Sequence, residues 1–164
     1  IQSTSQCKYW NHPTGWQQVV NHLQNKGYKV AVVDQHRNFG TEGFMNTSPQ
    51  SDYHFHNKPL DEVMSVIKGS DLHIGIGSGL SWVAWALDIP TVLISSFSKP
   101  YCEFQLNTSR IYNDTPNSGY FNTHKMDASN WNWYPFKQIK SMEDWYKIET
   151  ITPDLVIEGI DRIL

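Results

Sequence analysis

Residues 71–90 read DLHIGIGSGLSWVAWALDIP, and they decide the fold. The first seven, DLHIGIG, form a continuous apolar run of strand length. Leu80, Val83, Ala84 and Leu87 then repeat at helical spacing, and Pro90 ends that helix. Residues 91–95 (TVLIS) form the next apolar run. A strand, a helix and a strand in about 25 residues is a βαβ unit, and apolar runs with no alternation imply strands covered on both faces.

The pattern extends in both directions. Upstream, residues 1–5 predict a short first strand. A helix with Pro13 near its start follows, with Trp16, Val19, Val20 and Leu23 as its apolar stripe and Gly27 as its C-terminal stop. Residues 29–34 (KVAVVD) predict a buried strand. Residues 35–57 have no clear period and read as one long loop, a length that marks functional or mobile segments. Pro59 in the first turn, then Leu60, Val63, Met64 and Ile67, predict a second helix ending near Gly69. Downstream, residues 97–140 are irregular and rich in aromatics, with one more strand expected near residues 110–112. Residues 141–145 suggest a short helix. Thr152 as N-cap and Pro153 at the first position start a final helix with Val156, Ile160, Ile163 and Leu164 on its core face. The expected fold class is α/β: a Rossmann-like parallel sheet with helices on both faces, in a single domain over residues 1–164.

Composition narrows the function. A formal charge of -3 over 164 residues gives no general basic face, which argues against nucleic acid as a partner. No apolar stretch approaches the roughly 20 residues of a membrane span. Two cysteines, Cys7 and Cys102, make no disulfide framework and suit reduced thiols in a cytoplasmic setting. The chain opens on Ile1 directly at a strand, so it reads as part of a longer frame or a processed product.

The chemistry concentrates at Gly77, Ser78, Gly79, Leu80 and Ser81. Small residues between a strand and a helix let a diphosphate approach unpaired helix N–H groups, and Ser78 and Ser81 add hydroxyls. The dinucleotide fingerprint G-x-G-x-x-G/A fails here. Counting from Gly75 its last position is Leu80, and counting from Gly77 it is Trp82, so a Rossmann oxidoreductase is disfavoured. No Gly-Lys pair exists for a P-loop. The same glycines also suit a plain tight turn. His54 and His56, with His36 upstream, read as a loop pair rather than a metal site. His73 reads as an interior histidine, and His12 as a residue able to face the cleft. Asp114 and Asp127 carry no assigned role.

Gly77-Ser78-Gly79-Leu80-Ser81-Trp82-Val83-Ala84-Trp85-Ala86-Leu87-Asp88-Ile89-Pro90 resembles the D-[ST]-G-L-x-H-[LI]-A-A-A-L-x-x-P signature of heptosyltransferases. Two further blocks, from Cys7-Lys8-Tyr9-Trp10 to Trp16 and at Asn57-Lys58-Pro59-Leu60, resemble the branch that modifies bacterial autotransporter adhesins. The resemblance implies the C-terminal half of a two-domain glycosyltransferase B fold. That half holds a nucleotide diphosphate sugar, ADP-heptose-like or another hexose donor, for transfer to a protein or glycan acceptor. The acceptor site and catalytic base belong to an N-terminal domain outside this chain. The resemblance assigns Lys8 to the donor phosphates and Glu42 to the ribose, and it implies no cofactor. The alternative is a non-catalytic nucleotide-binding or interaction module. Two departures stand out. The usual His is Trp82, and the cysteine cluster that resembles a metal finger in the autotransporter branch is absent from residues 112–135. No metal is therefore expected, and the sugar stays open.

Overall fold

A computed structural model of the chain describes residues 1–4, 8–10, 12–40, 45–115, 118–122 and 151–164. The predicted helices form: α1 (Gly15–Asn25), α2 (Leu60–Lys68), α3 (Gly79–Ala86) and α4 (Pro153–Asp161). The strands are β1 (Ala31–Val32), β2 (Asn38–Phe39), β3 (Asn46–Thr47), β4 (Tyr53–His54), β5 (His73–Ile76), β6 (Thr91–Ile94) and β7 (Thr108–Ile111). The short helix suggested at residues 141–145 lies outside the described residues, as do Cys7 and Asp127.

β5, β6 and β7 pair in parallel, as do β1 and β4. Residues 1–3 join the two sets. Gln2 pairs with Gly75, its N–H donating to Ile74 O at 3.0 Å, and Val33 N donates to Ile1 O at 2.9 Å. Across the sheet the order is therefore β4, β1, residues 1–3, β5, β6, β7. Winding proceeds outward in both directions from the middle, so the direction reverses between residues 1–3 and β5. A crevice opens at such a reversal, beyond the carboxyl ends of the strands.

Alternation within each strand divides the core. Ile74, Ile76, Val92, Ile94 and Ile111 face α1 and α4, packing with Val19, Val20, Val156 and Ile160. On the other face Val33, Val63, Ile67 and Ala84 bring α2 and α3 together. Gly75 also lies on that face. A Cβ there would come within 2.6 Å of the His73 ring and 2.5 Å of Ser81 Oγ.

Three sequence readings need correction. The supposed loop 35–57 contains an antiparallel hairpin, β2–β3, and the edge strand β4. Pro59 is the N-cap of α2 with ψ 147, one residue before the first turn in which the sequence places it. Leu60 and Met64, assigned to the core stripe of α2, are 59% and 36% exposed, while Val63 and Ile67 are buried.

Candidate functional site

A cleft of about 550 Å³ lies at the reversal of the sheet. One wall is the start of α3, at Ser78, Gly79 and Leu80. The facing elements supply Gln2 and Thr4 from the first strand, Asp34, Gln35 and His36 after β1, Phe39 from the hairpin, and Asn57, Lys58 and Leu60 before and within α2.

The glycine turn supplies the anion-attracting feature. Ser78 is the N-cap of α3 but makes no side-chain cap, because its hydroxyl donates to Gln2 Oε1 at 2.9 Å. Among the described residues the amides of Gly79 and Leu80 meet no acceptor. They are first-turn N–H groups at the positive end of the helix dipole. A Cβ on Gly79 would meet nothing within 4 Å, so the space beside these amides is open.

The other predicted site residues scatter. Gly77 lies behind the turn, where a Cβ would come within 2.6 Å of Glu103 Oε1. Glu103, its side chain little exposed, pairs closely with Arg110, and Ser98 Oγ also donates to Glu103 at 2.6 Å. Ser81 is fully buried. Its hydroxyl donates to Ile76 O at 2.8 Å, so it braces the strand–helix junction and does not face the cleft. With that proton committed, Ser81 Oγ accepts from His73 Nε2 at 3.2 Å. Burial pushes His73 down to about 3, which keeps it neutral. Lys8 is partly buried, with Nζ over the Phe97 ring at 5.5 Å, and is not part of the cleft lining. Its neighbour Trp10 is anchored by Nε1 donating to Ile151 O at 2.7 Å. Glu42 lies outside the described residues. His12 packs beside Trp10 at 6.0 Å, away from the cleft lining. His54 and His56 sit 5.1 Å apart. Asp114 is exposed and pairs with Lys99 at 3.4 Å.

Sequence reasoning passed over Thr4, Asp34, Phe39 and Leu60. Asp34 was discoverable, since it ends an apolar strand at the edge where crevices form. Phe39 was not, because a two-residue strand carries no period.

The family model for glycosyltransferase family 9 (heptosyltransferase) matches residues 2–118. The autotransporter heptosyltransferase TibC of Escherichia coli O78:H11 is 45% identical over 104 residues, covering 63% of this chain and 26% of that protein. The inactive autotransporter heptosyltransferase BimC of Burkholderia thailandensis is 30% identical over 135 residues, covering 78% of this chain and 31% of that protein. The chain thus spans about a quarter to a third of these relatives. The crystal structure of TibC from enterotoxigenic E. coli superposes with a TM-score of 0.86 at 33% identity, covering 99% of this chain and 44% of that one. TibC has also been solved in complex with ADP-D-β-D-heptose.

The TibC structure is described as an iron-containing dodecamer. Among the described residues here, no three His, Cys, Asp or Glu side chains converge as a metal site. The sequence supplies two cysteines in all. No helix among the described residues is long and apolar enough to cross a membrane. With the family model covering residues 2–118 and the fold shared with TibC, this chain belongs to glycosyltransferase family 9, the heptosyltransferases.

Proposed function

We propose that this chain is the donor-binding half of a heptosyltransferase, holding a nucleotide diphosphate sugar of the ADP-heptose type. The observation that carries the reading is the open N-terminus of α3 in the cleft, where the Gly79 and Leu80 amides have space beside them for a diphosphate. The binding of ADP-D-β-D-heptose by the related TibC supports the choice of donor. The nucleoside would extend toward Phe39, His36 and Leu60, the aromatic and apolar end of the cleft.

In the transfer step the bond between the anomeric carbon and the diphosphate oxygen breaks, and the acceptor hydroxyl oxygen bonds to that carbon. The hydroxyl proton goes to a base on the domain outside this chain. The nucleoside diphosphate leaves with the bonding electrons, and its developing charge is what the α3 dipole stabilises. Lys8 and Glu42 are kept as candidates for the phosphates and the ribose. A protein or glycan acceptor and a cytoplasmic setting belong to the same reading, as do the single-domain boundary 1–164 and the partner N-terminal domain.

The test is thermal unfolding with a panel of ADP-, GDP-, UDP- and CMP-sugars, on the wild-type chain and on Gly79→Val. An ADP-sugar should stabilise the wild type and leave Gly79→Val unmoved. If no nucleotide sugar stabilises the wild type, the proposal is wrong. One observation favours a second reading, a non-catalytic nucleotide-binding module: the relative BimC, 30% identical, is named inactive. Binding without sugar transfer, after the upstream domain is restored, would select it.

A further inference from the structure

We infer that Asp34 is a positioning residue that ties the phosphate wall of the cleft to its nucleoside wall. The inference rests on the donor reading above. Asp34 follows β1, at the end of the second strand in chain order, where dinucleotide-binding folds use a carboxylate to hold a ribose. Here that carboxylate is already engaged. Oδ1 accepts from Ser3 N at 2.8 Å and Thr4 N at 2.9 Å. Oδ2 accepts from Ser3 Oγ at 2.5 Å and Ser48 Oγ at 2.7 Å. The residue is 1% exposed. Asp34 borders the cleft, but four donors at this burial leave its carboxylate no free face for a sugar hydroxyl, so it acts through its partners.

Those partners come from both walls. Ser3 and Thr4 continue the chain past the Gln2 bridge, and Thr4 lines the cleft. Gln2, one residue before them, receives the hydroxyl of Ser78, the cap of α3. This wall meets the diphosphate. Ser48 closes the base of the β2–β3 hairpin, its N–H donating to Arg37 O at 2.8 Å. The hairpin carries Phe39 to the cleft, with its ring stacked on His36 at 5.6 Å. That wall meets the nucleoside. One buried carboxylate thus sets the position of the phosphate turn and of the aromatic flap together.

The chemistry of the four bonds predicts which variants matter. In Asp34→Asn the amide oxygen still accepts from Ser3 N and Thr4 N. The new NH₂ donates to the hydroxyl oxygens of Ser3 and Ser48, which turn from donors to acceptors. Ser48→Ala cuts only the hairpin. Asp34→Ala cuts both walls loose.

Calorimetric titration of the 164-residue chain with inorganic pyrophosphate and with ADP separates these effects. Ser48→Ala should weaken ADP by about tenfold, the scale of one lost hydrogen bond, and leave pyrophosphate within about twofold. Asp34→Asn should keep both ligands within about threefold of wild type. Asp34→Ala should weaken both. If circular dichroism shows Asp34→Ala unfolded, the other two variants decide alone. The positioning role is overturned if Ser48→Ala leaves ADP unchanged or weakens both ligands alike, or if Asp34→Asn loses both. A wild-type chain that binds neither ligand overturns the donor reading itself. One that binds both, with Ser48→Ala indistinguishable from it, overturns only the role of Asp34.

Discussion

Three glycines in five residues, Gly75, Gly77 and Gly79, look equivalent in sequence, and each has a different physical reason. Gly75 makes room for His73 and Ser81, Gly77 makes room for the Glu103 carboxylate, and Gly79 borders open space. The sequence supports a shared purpose, close approach of phosphate. Only Gly79 fits it, because Gly75 is hemmed in by His73 and Ser81 on either side of the turn, and Gly77 by Glu103, far along the chain. A substitution series separates the roles. Gly75→Ala and Gly77→Ala should each destabilise by about 1–3 kcal/mol, the cost of overpacking. Gly79→Ala should stay within about 1 kcal/mol of wild type, and as a first-turn helical residue it gains from lost chain entropy in the unfolded state. Urea midpoints at constant slope check this. Equal losses at all three positions would mean that the turn is uniformly tight.

At the level of elements, helices were legible wherever a period ran for two turns or more. Gly27 ends α1 with φ +90, as its composition implied. Thr152 caps α4, accepting from Leu155 N at 3.4 Å, with Pro153 next. The hairpin β2–β3 and the edge strand β4 were not legible. Each strand has two residues, and their pairing is set by tertiary contacts such as Ser48 with Asp34. Leu60 was misassigned because the apolar period of α2 continues into its first turn, where the helix borders the cleft and not the core. An apolar residue exposed there suits the nucleoside proposed for that end of the cleft. The cap of α4 gives a direct test of element stability. Thr152→Ala should cost about 1 kcal/mol. That loss should appear in the unfolding midpoint and leave nucleotide binding unchanged, since α4 packs against β6, β7 and α1, on the face opposite α2 and α3. A coupled loss of binding would show that the two faces are not independent.

For the whole molecule, His73, Asp52 and Asp161 all lose stability as the pH falls. His73 sits in the central strand β5, 2% exposed, and burial lowers it to about 3 from 6.5. The unfolded chain therefore binds a proton below pH 6.5 that the folded chain refuses until about pH 3. This contribution is complete above 6.5 and falls as the pH drops between those values. At pH 5 the loss is about 2 kcal/mol, and it grows toward pH 3. Asp52 and Asp161 act later. Hydrogen bonds from Gln24, Val30 and Lys29 hold Asp52 well below the usual carboxylate range, and those from Lys26 and His22 lower Asp161. Their contribution is present above about pH 4 and is lost below it. Acid unfolding should thus begin with the centre of the sheet and finish with surface ties between elements. His73→Gln keeps a donor for Ser81 and removes the titration. Its urea midpoint should fall less from pH 7 to pH 5 than that of the wild type, the remainder coming from the buried amino group of Ile1 and the lowered His12 and His54. Parallel profiles for the two proteins would mean that His73 takes up its proton in the folded state, and that the strand β5 opens to water at mild acidity.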